Sequence, residues 1–382
     1  MTARALLVVG WYTLSSSLAL GGATVLTIDA DAHVLETEHT WDFLEPGDRK
    51  YRPQLVAPRG EPRSERWLID GKLRGLRPLT LTEQELAGQS ERTGRDVVTA
   101  QAARQMDDVE LRLRDMDRLG IDIQVLHNTI GIEQISDRPE VDLALCRSWN
   151  RWLADIWQQG KGRLRWSMLP PLLNIPDALD EMREAKAHGA VAVCMRPVEG
   201  SRLLVDPYFY PVYEEAERLD MPIAVHIANG NPMILDLFRS PYQRGGGFAA
   251  FRIPTVMACQ QILTSELPQQ FPRLRWGFIE ASAQWVPWVV ADVKERFAVA
   301  GRPIPENPLA EYRVYVTCQT NDDLPFVLKH AGEDNIVIGT DYGHFDASSE
   351  LDAITILKRS EELSPAAIAK IVEANPRALY GL

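Results

Sequence analysis

The stretch TVLTIDADAHVLE, Thr24 to Glu36, sets a run of apolar and β-branched residues against two aspartates and a histidine within five positions. An ionised carboxylate in apolar surroundings must be paired, metal-bound or neutralised, so Asp29, Asp31 and His33 need partners from elsewhere in the chain. Candidates recur where other apolar runs end: His127, Arg196, His226, Glu280, Gln319, and Asp341 with His344. Three carboxylates and several imidazoles form a ligand set for zinc, manganese or iron, whereas calcium would want more oxygens and no imidazole. The spacing Asp31-x-His33 fits this, because period two puts both side chains on one face of a strand. Asp29 would orient a ligand from below.

These residues can converge only if the runs that carry them share one sheet. Eight short β-rich runs are read at Val25–Ile28, Asp122–Leu126, Leu164–Leu169, Ala190–Met195, Ile223–Val225, Leu274–Ile279, Val314–Cys318 and Ile336–Gly339. Between them lie amphipathic stretches with apolar residues at three and four spacing, among them Ala103–Gly120, Asp177–Gly189, Pro211–Asp220 and Gln284–Ala298. Alternation of this kind implies parallel pairing through right-handed crossovers. Eight units predict an α/β fold, a closed (β/α)₈ TIM barrel whose site lies at the C-terminal strand ends; a doubly wound sheet is the alternative.

The expected organisation is a single metal-dependent barrel domain over 24–382, with an insertion over 45–98 after the first strand that includes a hairpin turning at Asp70-Gly71. Asn229–Ile253 is read as a long loop after the fifth strand, too glycine-rich for a helix and placed as a lid or substrate wall. Its Phe238, Tyr242, Phe248, Phe251 and Ile253 suggest a partly hydrophobic ligand. Residues 1–23 have one arginine, an apolar run and then small residues, yet no clear cleavage site, and are read as an N-terminal extension.

The hydrophobic share of 45% and charged share of 25% are those of an ordinary globular protein. A net charge of −12 with no basic stripe argues against nucleic acid and anionic membrane as partners. Cys146, Cys194, Cys259 and Cys318 are far apart and lack CxxC spacing, so they read as buried thiols of a reducing, cytoplasmic compartment. His39, His188 and His330 read as surface or helix-end residues, and Trp285 and Trp288 as packing residues on an apolar helix face.

Beyond these readings, the segments DADAHVLE, RLRDMDRLGIDIQVL, DPYFYPVYEEAERLDMPIAVH, FPRLRWGFIEASAQWVPW, IGTDYGH and IVEANPRALYGL resemble the amidohydrolase superfamily over Asp29–Leu382. The branch is the amidohydrolase-related one that includes aminocarboxymuconate-semialdehyde decarboxylase and hydroxybenzoate decarboxylases. The resemblance implies a divalent-metal enzyme in which Asp31 and His33 replace the usual first-strand motif, His226 is the fifth-strand ligand and Asp341 the eighth-strand aspartate. A homodimer acting on a small molecule is also implied. Two departures stand out: Glu280 occupies the place of a catalytic histidine, and Arg196 follows the fourth strand where other members have a bridging lysine.

Two catalytic functions follow. In the first, Asp31, His33, His226 and Asp341 hold one zinc or manganese, Asp341 or Glu280 moves the proton, and the reaction is hydrolysis or non-oxidative decarboxylation of a small, carboxylate-bearing substrate. Glu280 is a ligand, an acid/base or the partner of an imidazole. Arg196 is either a clamp for a substrate anion or paired with Glu199, and His127 and His344 contact substrate or support ligands. In the second, one or two irons bound with Glu280 make a non-heme monooxygenase resembling the diiron enzyme of diterpenoid antibiotic biosynthesis. A non-catalytic binding protein is the remaining reading.

Overall fold

A computed structural model describes residues 26–60, 65–76, 81–238 and 247–382. The extension 1–23, Val25 and Tyr242 lie outside them. Eight strands form one parallel sheet in chain order: β1 (Ile28–His33), β2 (Ile123–His127), β3 (Leu164–Met168), β4 (Ala190–Met195), β5 (Ile223–His226), β6 (Trp276–Ile279), β7 (Val314–Cys318) and β8 (Ile336–Ile338). Pairing is parallel throughout. Helices follow each strand, from Val109–Leu119 after β1 to Leu324–Ala331 after β7, so both faces of the sheet are covered and its strands read as nearly continuous apolar runs.

The sheet closes on itself just past β8. The amide of Asp341 donates to the carbonyl of Asp31 at 2.9 Å, and that of His33 to the carbonyl of Tyr342 at 2.8 Å, while Ala32 bridges Tyr342 in parallel. This seam demands a glycine. A Cβ on Gly339 would stand 2.2 Å from the Cβ of Asp31 and 2.8 Å from its backbone nitrogen.

Two expectations are corrected. The first strand begins at Ile28 and runs through His33, all six residues buried, so Asp29, Asp31 and His33 lie on the strand and not after it. Helices on the outside and side chains within take both faces out of water, which is why polar residues continue the strand.

Asn229–Ile253 is not a structureless loop: a helix spans Pro232–Phe238, and a π-turn at Phe248–Arg252 runs into the helix Ile253–Thr264. Its start signal is Asn231-Pro232. The Asn231 side chain accepts from the Ile234 amide at 3.1 Å and proline takes the first helical position.

The segment between β1 and its helix holds a three-stranded antiparallel sheet, Gln54–Val56, Arg66–Ile69 and Lys72–Leu76, turning at Asp70-Gly71 with φ of 50° and 73°. It also holds a helix, Glu83–Thr93, started by a Thr82/Glu85 capping box. Side chains from this region, Gln89 and Arg95, donate to the carbonyls of Phe345 and Ala347. The inserted segment thus props the turn that follows Asp341.

Gly339→Ala is expected to destabilise by about 1–3 kcal/mol or more, the usual effect of overpacking. The readout is the urea midpoint; an unchanged midpoint would contradict the tight seam between β8 and β1.

Candidate metal centre

At the mouth of the barrel, strand ends far apart in sequence bring five buried side-chain atoms together. The Nε2 of His33 lies 3.5 Å from Asp31 Oδ1, 3.5 Å from Glu280 Oε2 and 3.5 Å from Asp341 Oδ1. The Nε2 of His226 lies 3.4 Å from both Asp31 Oδ1 and Glu280 Oε2. These residues are all under 10% exposed, yet Asp31 Oδ1, His33 Nε2 and His226 Nε2 have no hydrogen-bond partner, and Asp341 Oδ1 is met only by His344 Nδ1 at 2.9 Å. Buried polar atoms are nearly always satisfied, so three orphans beside a carboxylate at one place call for a ligand.

A divalent ion fits them. The donors are imidazole nitrogen and carboxylate oxygen, and a tetrahedron with bonds of about 2.1 Å has edges of about 3.4 Å. Two overlapping four-residue sets bring such donor atoms within 4.8 Å of one another: Asp31, His33, His226 and Glu280; and His33, Glu280, Asp341 and His344. One imidazole nitrogen has one lone pair, so His33 can serve only one ion at a time, whereas the Glu280 carboxylate can span two.

The charges tell the same story. Burial, then Asp341, Asp346 and Asp31, push Glu280 well above the ordinary carboxylate range, and burial lifts Asp341 to about 6. Burial would also raise Asp31, but the His226 and His33 imidazoles beside it hold it well below its usual value. Burial, and then His344, keep His33 well below the imidazole range. His344 goes the other way, to about 9: burial opposes its charge, and Asp341, 2.9 Å from its Nδ1, outweighs that. A cation at the centre would reverse the repulsion among the acids.

Several cluster residues are held from behind. Asp29 does not join the cluster; it accepts from the amide and hydroxyl of Thr340 at 2.9 and 2.6 Å and from Gln124 at 2.9 Å, tying β1 to β2 and to the seam. Arg112, fully buried, donates to Gln124 at 2.7 Å and to the carbonyl of His33, and stacks 3.5 Å over Tyr342. Ser349 donates to Asp341 at 2.6 Å, and the Glu280 amide donates to Thr317 Oγ1 at 2.6 Å.

The remaining candidates are placed as follows. His127 is fully buried at the end of β2, its Nδ1 2.9 Å from Ser167 Oγ, its Nε2 unpartnered and its ring 5.0 Å from that of His226; burial pushes it down to about 3. Gln319 reaches the Glu280 carbonyl at 3.5 Å. Arg196 holds an ion pair with Glu199 at 2.5 Å and donates to the carbonyl of Gly131, so of its two roles the structure contains the pair.

Arg196 also lines a cleft of about 450 Å³ with Asp142, Glu199, Arg202, Tyr208 and Asn231. That cleft is built from loops after β2 to β5 and is of ligand size; the cluster residues are not among its walls. His39 and His188 are exposed, Trp285 packs on the core and Trp288 is 68% exposed. Phe248 and Ile253 are exposed too. All four cysteines are free and buried.

Sequence reading missed Thr129, Glu36, Ser167 and Ser349, which support the ligands. Single polar residues of this kind, whether on a strand like Ser167 or in a turn like Thr129, carry no periodic signal, and only their three-dimensional neighbours distinguish them.

Glu280→Gln fixes the neutral state that its surroundings favour without an ion. The chelator-treated variant is expected to melt at or above the wild-type temperature, while metal retention falls about tenfold or more, the loss that removing even a ligand's supporting partner causes. A fall of several degrees in the melting temperature would contradict repulsion at this centre.

Among curated proteins, the chain is 20% identical over 243 residues to the 2-amino-3-carboxymuconate-6-semialdehyde decarboxylase of Dictyostelium discoideum, an alignment covering 62% of this chain and 66% of that one. It therefore spans just under two thirds of that relative's length. Among solved structures, an amidohydrolase from Mycobacterium avium subsp. paratuberculosis K-10 is similar at a TM-score of 0.77 and 18% identity, covering 94% of this chain and 99% of the other. The 5-carboxyvanillate decarboxylase of Sphingomonas paucimobilis is similar at 0.62 and 17%, with the same coverages. These two likenesses speak to the shared barrel. The sequence pattern described as amidohydrolase matches residues 28–382; it runs from the first residue of β1 to the C-terminal leucine and takes in every cluster residue, and on that match the chain belongs to the amidohydrolase family.

Proposed function

We propose that this chain is a metal-dependent hydrolase or carboxy-lyase acting on a small, carboxylate-bearing organic substrate. The observation that carries the reading is the group of three buried, unpartnered nitrogen and oxygen atoms contributed by β1 and β5, with the buried Asp341 carboxylate from the turn after β8 beside them. Asp31, His33, His226 and Asp341 would hold one zinc or manganese. The ion, when bound, would lower the pKa of a water or polarise a substrate oxygen.

The chain's own residues do the rest. Asp341 is anchored by Ser349 and next to His344, which suits it to take a proton and pass it on. Glu280, pushed up by its acidic neighbours, suits delivery of a proton to a developing carbanion or leaving group. His127 and His344 are assigned to the substrate side of the cluster. Arg196, already engaged by Glu199, would shape the neighbouring cleft and not grip an anion directly. The decarboxylases among the similar proteins support a carboxylate-bearing substrate.

A second reading rests on the overlap of the two donor sets at Glu280. A carboxylate reaching both sets would suit two irons, and with them an oxygenase.

Metal analysis by mass spectrometry on protein purified without added metal or chelator decides between them. About one zinc or manganese per chain is expected; about two irons, with oxygen consumption, would transfer support to the oxygenase. His226→Ala is expected to lose metal and activity together. Equal turnover of a true substrate by stripped and loaded protein would sink both readings.

A further inference from the structure

The two ligand-set imidazoles on the β8 side of the cluster share one hydroxyl. The Oγ1 of Thr129 lies 2.9 Å from His344 Nε2 and 3.5 Å from His33 Nδ1. It donates to the Val34 carbonyl at 2.8 Å. A threonine hydroxyl has one proton and two lone pairs, and a carbonyl can only accept. With its proton on Val34, the oxygen is left to accept from both rings.

We infer that, once a cation displaces the proton His344 shares with Asp341, Thr129 is a positioning residue that sets the two imidazoles in opposite tautomers: His344 protonated on Nε2, His33 protonated on Nδ1. Each then presents a bare nitrogen to the cluster, Nδ1 from His344 and Nε2 from His33, the atoms that lie 2.9 and 3.5 Å from Asp341 Oδ1. The rings are stacked, with centroids 3.8 Å apart and planes at 25°, so one oxygen between their outer edges can serve both. A metal-binding imidazole is routinely oriented by what its other nitrogen touches.

Thr129 is itself fixed. Glu36, buried behind it, accepts from the amides of Thr129 and Ile130 at 3.0 Å each and from the indole of Trp149 at 2.8 Å. The hydroxyl therefore sits on a braced turn at the end of β2 and not on a free loop.

This inference rests on the metal reading, and the test separates the two. Zinc affinity is measured by chelator competition on wild type, Thr129→Val and Thr129→Ser, and the tautomers of the seven histidines are read from nitrogen–proton NMR correlations of histidine-labelled, zinc-loaded protein. Valine keeps the shape and removes the hydroxyl; it is expected to weaken zinc binding roughly 10–100-fold, with serine restoring it. The zinc-loaded wild type is expected to show His344 as the Nε2–H form and His33 as the Nδ1–H form, a readout that mere packing by Thr129 would not set.

Wild-type protein that binds no zinc, manganese or iron overturns the metal reading and this inference together. Bound metal with His33 and His344 in the same tautomer, or with Thr129→Val binding zinc like wild type, overturns the inference alone. If the valine variant fails to fold, the wild-type tautomers still decide.

Discussion

Like charge brought together out of water is the constraint on which the rest of this structure turns. Asp31, Glu280 and Asp341 all lie 3.5 Å from one imidazole nitrogen, in a mouth where solvent can screen little. Asp31 belongs to the first strand and Asp341 to the turn after the last. The hydrogen bonds that close the barrel, Asp341 to Asp31 and His33 to Tyr342, are made by the cluster residues' own backbones. Closing the sheet and assembling the acids are therefore one event, and a chain that folds this way brings together acids whose repulsion a cation would offset.

The floor below the cluster shows how a buried carboxylate is treated when no ion is called for. Asp29, two residues from Asp31, receives donors from Thr340 and Gln124, while Arg112 lies beyond Gln124 against the ring of Tyr342. Its oxygens are answered by protein. The oxygen of Asp31 that faces the mouth is not. The contrast within a few ångströms separates a structural acid from a functional one better than burial does, since both kinds are buried.

Much of the barrel was legible because burial on both faces writes short, uninterrupted β-rich runs between helical periods. β4 and β7 match the sequence reading residue for residue, and His226, Glu280 and Asp341 stand at or just beyond their strand ends as read. The start of β1 was not legible, because Asp29 and Asp31 look like a strand's end to any rule that equates polar with exposed. The helix at Pro232–Phe238 was hidden by the glycines that follow it. Arg196 had two readings, and only the arrangement of Glu199 and the Gly131 carbonyl around it distinguishes them. Thr129 was invisible for a deeper reason: its role is a matter of three groups from β1, β2 and the last turn meeting at one oxygen, and no local pattern encodes that.

Backbone conformation carries the last step. Glu280 and Asp341 both have positive φ, 67° and 52°, as does Ser282 at 64°. A residue with a side chain held there costs of order 1–3 kcal/mol and persists only when its surroundings over-determine it. Here they do: Thr317 takes the Glu280 amide, Asp322 takes the Ser282 hydroxyl and the Ala283 amide, and the seam with β1 fixes Asp341. Glycine would relax all three positions. That carboxylates stand at two of them means the turn geometry serves to swing an acid back over the strand ends. Strain, repulsion and unsatisfied atoms thus fall on the same few residues, and a cation between them would relieve or make use of each.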